Sequence, residues 1–166
     1  CLGAKTLDKS RFNPQFAYTL DGGPLGEIAY ETFNAAEARI SIKGVNIHPG
    51  LAKDQMKNAI LVANEFINML PAAETPGHTE GYEGYYHVLE LSGEVELAKM
   101  RLYLRDHDRT KFEARKERIH EIAAFLNKVY GEGTVNVTVT DTYRNICEAI
   151  EGRFEMVEAI AAAMEK

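Results

Sequence analysis

Cysteine is scarce in this chain. Cys1 and Cys147 are the only two in 166 residues. They lie far apart, fit no metal-ligand spacing, and point to a reducing, cytoplasmic setting. No apolar run is long enough to span a bilayer, and no charged-then-apolar leader reads as a signal peptide. A basic excess is also missing: the net charge is −6, which argues against nucleic acid as the main partner, because phosphate binding needs a basic face. Several catalytic signatures are absent as well. There is no H-x-D, no H-E-x-x-H, no G-x-S-x-G, no phosphate loop and no adjacent Glu-Glu pair, so the chain by itself holds no complete catalytic set. It opens on Cys1 rather than methionine, which reads as a piece of something longer, a processed product or a trimmed tag.

What is present is a globular composition, 45% hydrophobic and 27% charged. That suits one ordinary domain, or one domain plus a fragment of another. Ala38 to Lys43 alternates, with Ile40 and Ile42 on one face and Arg39, Ser41 and Lys43 on the other, the pattern of a half-buried strand. Lys53 to Leu70 carries an apolar stripe at helical spacing (Ala52, Met56, Ala59, Ile60, Ala63, Phe66, Ile67, Leu70), and Pro71 stops it. Tyr86 to Leu91 and Val95 to Arg105 read as strands around a Ser92-Gly93 hairpin signal, with Met100, Leu102 and Leu104 opposite Arg101, Tyr103 and Arg105. Thr110 to Tyr130 is a second helix, ended by Gly131 and Gly133. Val135, Val137 and Val139 alternate with Asn136, Thr138 and Thr140 in a last strand. The order β-α-β-β-α-β predicts an α+β fold, a four-stranded antiparallel sheet with two helices on one face, in the ferredoxin-like arrangement.

The flanks do not close into a second core. Phe16 to Leu20 reads as a short buried strand ending at Asp21-Gly22-Gly23-Pro24, and Glu27 to Asn34 as another. Tyr143 to Lys166 carries a final helix around Phe154, Val157, Ile160 and Met164. The expected division is therefore 1–34, a remnant of a neighbouring domain; 35–142, the sheet-and-helix domain; and 143–166, a helix returning to the neighbour.

Three places carry candidate chemistry. An aspartate at the end of a buried strand, followed by two glycines, is a common way to present a carboxylate to a site, and Asp21 fits that description. In Gly44-Val45-Asn46-Ile47-His48-Pro49-Gly50 a histidine sits on a rigid corner between strand and helix: Pro49 holds His48 extended and Gly50 permits the turn. Local physics reads His48 as a polar turn residue or as a placed functional side chain. The outward sheet face is locally basic; it is either a solvated face or a surface that receives a carboxylate, with Arg105 as the donor fork. Asp106-His107-Asp108 is rejected as a metal cluster, because neighbours in a strand point to opposite faces. His78, His87 and His120 have no partners at ligand spacing, and Cys147 reads as a small buried residue.

Four quotations taken together, in order, resemble one family: Tyr18-Thr19-Leu20-Asp21-Gly22-Gly23, Asn46-Ile47-His48-Pro49-Gly50, Thr79-Glu80-Gly81-Tyr82-Glu83-Gly84 and Arg105-Asp106-His107-Asp108-Arg109. They are similar to the peptidase T family of tripeptide aminopeptidases, within the two-zinc aminopeptidase, aminoacylase and carboxypeptidase superfamily. The resemblance runs from about Phe16 to the end of the chain. It implies a zinc-binding catalytic domain interrupted by a lid, or dimerisation, domain, the lid being the β-α-β-β-α-β segment. It further implies that Asp21 ligates zinc, that His48 stabilises the oxyanion of the scissile carbonyl, and that Arg105 holds the substrate's C-terminal carboxylate. Asn145 is a weaker match to an asparagine near the same pocket.

The implied partners are tripeptides, the missing catalytic-domain segments and a second copy of the lid, with no nucleic acid and no membrane. The family's H-x-D segment, Glu-Glu pair and late histidine ligand have no counterpart in these residues, so the polypeptide alone is expected to bind zinc poorly and to hydrolyse nothing. The alternative is a free-standing binding or oligomerisation module derived from the same lid. Retention of Asp21, His48 and Arg105 together favours the enzyme portion.

Overall fold

The computed structural model describes residues 6–11, 13–20 and 23–165. Strand β1 (Asn34–Lys43) is followed by helix α1 (Ala59–Asn68), strands β2 (Tyr85–Gly93) and β3 (Leu97–Asp106), helix α2 (Arg109–Tyr130) and strand β4 (Val135–Tyr143). Two short helices, α3 (Cys147–Ile150) and α4 (Glu155–Met164), close the chain. All strand pairs are antiparallel, in the order β2-β3-β1-β4. Both α1 and α2 pack on the same face of this sheet.

The alternation seen in the sequence is the alternation of burial. Ile40, Ile42, Leu102 and Leu104 are fully buried against Val62, Phe66, Ile119 and Leu126 of the two helices. Each such aliphatic or aromatic side chain withdrawn from water contributes about 1.5–3 kcal/mol. The helix ends obey local chemistry. The Asp108 carboxylate accepts the Lys111 N–H at 2.8 Å and starts α2, while Gly131, at φ 100°, ends it.

Two sequence expectations are corrected. Helix α1 begins at Ala59 and not near Lys53, so Ala52 and Met56 lie in the preceding loop. Val45 and Lys57 form an isolated antiparallel bridge, which demands extended backbone at Lys57. The Asn58 side chain then accepts from the N–H groups of Ile60 and Leu61, capping the helix where it begins. Neither Phe16 to Leu20 nor residues 27–33 form a strand. Leu20 is 93% exposed, and Phe16 and Tyr18 are about half exposed. A lone extended segment needs a neighbour to bond to, and among the described residues the sheet offers these segments none.

The loop between α1 and β2 is anchored from below. Arg115 on α2 donates from Nε to the Asp106 carboxylate at 2.8 Å and from Nη1 to Glu74, and its guanidinium lies 5.0 Å from the Tyr86 ring centre. Desolvation alone would lower the Arg115 pKa, but the hydrogen bonds to Asp106 and Glu74 outweigh it and push it up. Asp106, read in the sequence as a rejected metal ligand, is thus a buried counter-ion. The loop turns into β2 at Gly84, where any side chain would overlap the Asp106 carboxylate.

Candidate functional site

His48 sits at the tip of the loop between β1 and α1. Its backbone is extended (φ −52°, ψ 127°), as Pro49 requires, and it caps a single 3-10 turn, Pro49–Leu51. The Gly50 N–H donates to His48 Nδ1 at 3.2 Å. An Nδ1 that accepts carries no proton, so this bond selects the tautomer with its proton on Nε2. The ring is exposed and offers that N–H as a donor. The base of the loop is closed by the Val45–Lys57 bridge and by the Gly44 N–H donating to the Glu96 carbonyl at 2.7 Å. Gly44 is obligatory here, since a Cβ would overlap the carbonyl oxygens of Val95 and Lys57.

Arg105 lies at the opposite end of the sheet. It pairs with Ala35 of β1 on one side and Tyr85 of β2 on the other, on the face away from the helices. Its guanidinium carbon stands 5.3 Å from the Tyr103 ring centre and 5.0 Å from that of Tyr143. Nε is buried and has no hydrogen-bond partner. Arg39, Arg101, Arg109 and Arg115 each contact a glutamate or aspartate. Among the described residues Arg105, half-buried, has no such counter-ion. A guanidinium held in aromatic faces without an anion is a ready receiver for a carboxylate.

Asn145 is close to this end and is 6% exposed. Its side-chain carbonyl accepts the N–H groups of Thr32 (2.9 Å) and Cys147 (3.0 Å), and its amide donates to the His107 carbonyl at 3.3 Å. Its own N–H donates to Asn34 Oδ1 at 3.0 Å, and the Asn34 amide donates to the same His107 carbonyl at 3.0 Å. The two asparagines therefore tie the segments entering and leaving the sheet to the turn before α2. Asn145→Ala leaves two part-buried backbone N–H groups, those of Thr32 and Cys147, without an acceptor, while the His107 carbonyl keeps Asn34, and it is expected to destabilise the chain by about 1–3 kcal/mol, read by urea denaturation. A loss under about 0.5 kcal/mol would show that water replaces the amide.

The flanks meet beyond this clasp. The Tyr18 hydroxyl donates to the Met156 carbonyl at 2.7 Å, and Tyr30 packs edge-on against Phe154 with ring centres 5.4 Å apart. Cys147 is half-buried, and desolvation followed by the charges of Glu31, Glu151 and Glu148 pushes its thiol pKa up.

The structure thus brings Arg105 and Asn145 to one end of the sheet and His48 to the other. Asp21 lies outside the described residues. Among those residues no group of three or more His, Cys, Asp or Glu side chains is placed to hold a metal ion, so the donor set does not fit a zinc site built from them alone. In the sequence Tyr103 was visible as an aromatic at an outward strand position and Tyr143 as the first residue of the tail. Their convergence on Arg105 was not, because it depends on a register shift between Ala35 and Ala36 in the β1–β4 pairing.

Comparison with known proteins bears on the family and the fold. Residues 30–134 match the peptidase dimerisation domain family. The chain is 48% identical over 164 residues to Peptidase T of Halothermothrix orenii and 52% identical over 164 residues to Peptidase T of Clostridium perfringens. In both cases 99% of this chain is covered, and it spans 40% of the relative's length. The fold is shared with aminopeptidase PepT from Bacillus cereus, at TM-score 0.71 and 23% identity over 94% of this chain and 44% of that one. A tripeptidase from Staphylococcus aureus also has TM-score 0.71, at 18% identity over 87% of this chain and 39% of that one. With its four-stranded sheet, its two covering helices and a match over most of its length, the chain belongs to the peptidase dimerisation domain family.

Proposed function

We propose that this chain is the lid and dimerisation portion of a zinc-dependent tripeptide aminopeptidase, with residues 1–34 and 143–166 belonging to the adjoining catalytic domain. The observation that carries the reading is Arg105: a half-buried arginine with no anionic partner among the described residues, on the open face of a peptidase-family domain. Its fork receives the C-terminal carboxylate of a short peptide. Asn145 holds the wall beside it, and Asp21 is one metal ligand, the others coming from catalytic segments outside these 166 residues. The contact between the two flanks supports assigning both to one neighbouring body.

His48 presents its Nε2–H to the scissile carbonyl as negative charge develops on the oxygen. One chain cannot direct His48 and Arg105 to the same tripeptide. Ala35, beside Arg105, and Lys43, at the start of the His48 loop, lie near opposite ends of the β1–β3 pairing; at ~3.3 Å per residue they stand roughly 26 Å apart. A tripeptide's first carbonyl and its carboxylate are two residues apart, about 7 Å. We therefore assign His48 to the site of a second copy, which makes the functional unit a homodimer. The edge strand β2, with Leu89 and Leu91 exposed, is consistent with such pairing. Among the described residues no helix is long and apolar enough to cross a membrane, and the expected setting is the cytoplasm.

The test uses a polypeptide of the relatives' full length that contains this chain. It should release the N-terminal residue of a tripeptide, and Arg105→Ala should raise KM for that tripeptide about 10- to 100-fold, with kcat changed less than about twofold. Absence of tripeptide cleavage would sink the functional reading. An unchanged KM would remove Arg105 from it.

A further inference from the structure

We propose that Tyr103 and Tyr143 are positioning residues that hold the Arg105 guanidinium in one orientation for an incoming carboxylate. The proposal rests on the carboxylate reading of Arg105 and adds what keeps its fork in place.

The two rings reach Arg105 from different parts of the chain. Tyr103 is two residues earlier on β3 and shares its outward face. Tyr143 comes from β4, two strands away, with β1 between them. Neighbouring strands are about 4.8 Å apart, so Tyr143 and Arg105 must meet over the intervening residue. That residue is Ala35, which pairs with both of them. Its single methyl group lets the ring and the guanidinium close above it, and although it faces away from the helices it is only 1% exposed. A larger side chain at this position would part them.

The register shift supplies the remaining condition. Val135, Val137 and Val139 face the helices, and unbroken alternation would carry Tyr143 to the same side. The extra residue between Asp141 and Tyr143 reverses the alternation and turns Tyr143 outward. The Thr142 hydroxyl, donating to the Ala35 carbonyl at 3.0 Å, fastens the bulge.

The chemistry of this arrangement differs from that of an ion pair. A glutamate beside Arg105 would hold it equally still but would compete with the ligand for its charge. Aromatic faces restrain the guanidinium through its positive charge and leave its N–H groups to an anion. Nε is closed off from solvent, so the carboxylate is met by the two terminal nitrogens. An arginine already restrained loses less freedom on binding than a solvated one.

The test is NMR on the isotopically labelled chain, reading the Arg105 Nε–Hε group and the Ala35 and Tyr103 backbone amides. Triglycine with a free C-terminal carboxylate is titrated against its C-terminal amide. The acid should shift these signals and the amide should not. Tyr143→Leu should weaken acid binding about five- to tenfold and lower the Nε order parameter, and Tyr143→Phe should restore both. Tyr103→Leu should act in the same direction. If both leucine variants match the unsubstituted chain, the positioning role is overturned. It is equally overturned if Arg105 Nε in the unsubstituted chain is as mobile as that of the exposed Arg144, a measurement that needs no variant to fold. Failure of the underlying reading looks different: acid and amide would bind alike, or Arg105→Ala would leave acid binding intact.

Discussion

Arg115→Ala is expected to destabilise the domain by about 3–5 kcal/mol, the usual result of removing one partner from a buried ion pair. Asp106 is 1% exposed, and Arg115 Nε is its cation at 2.8 Å. The other Asp106 oxygen accepts the Asp108 N–H at 3.0 Å, at the start of α2. Truncation leaves a carboxylate in the interior and frees Glu74, so the loop from Pro71 to Gly84 loses its anchor at the same time. Domains of this size are stable by about 5–15 kcal/mol, so the loss is about a fifth or more of the total. Urea denaturation would measure it, and a change below about 1 kcal/mol would mean that water or protonation satisfies Asp106.

His48→Ala is expected to lower turnover of the full-length peptidase about 10²- to 10³-fold, the effect typical of losing one oxyanion donor. Folding should be unchanged, because the ring is exposed and its one hydrogen bond is to Gly50 within the same turn. The opposite placement of His48 and Arg105 adds a sharper result. Assayed at tripeptide concentrations well below KM, where Arg105→Ala is impaired through its raised KM, a mixture of the His48→Ala and Arg105→Ala proteins whose subunits reassort should recover about a quarter of the original activity: half the dimers are mixed, and each mixed dimer has one intact site. Failure of the mixture to recover activity, with dimers shown to exchange, would place both residues in one subunit's site.

Much of the architecture was readable before folding. Ile40, Ile42, Leu102, Leu104 and the three valines of β4 announced their face, because side chains alternate along any strand and a one-sided sheet buries every second one. Pro71 and Gly131 marked helix ends for equally local reasons. The start of α1 was misread because Ala52 and Met56 fit the helical period, yet the Val45–Lys57 bridge and the Asn58 cap override it. Phe16 to Leu20 was misread because an apolar run predicts burial only where a partner surface exists. In these 166 residues Leu20 faces solvent.

The candidate site divides in the same way. His48 on its Pro-Gly corner and the extended geometry of that corner are matters of neighbouring residues, and the sequence by itself determined them. So too did the order of elements and the polar, arginine-bearing face of the sheet. The tertiary structure alone decided that Asp106 is a buried counter-ion, that Asn145 closes a clasp on Asn34 and His107, and that Arg105 has no anion beside it among the described residues. It also decided that Tyr143 turns toward Arg105 and that His48 and Arg105 stand at opposite ends of one sheet. Most of these depend on pairing between residues dozens of positions apart, and the Asp106–Arg115 pair, nine apart, on α2 folding back beside the end of β3. Side-chain periodicity carries information over a few residues only, whereas strand register, and the one-residue bulge that reverses it, is settled when distant strands meet.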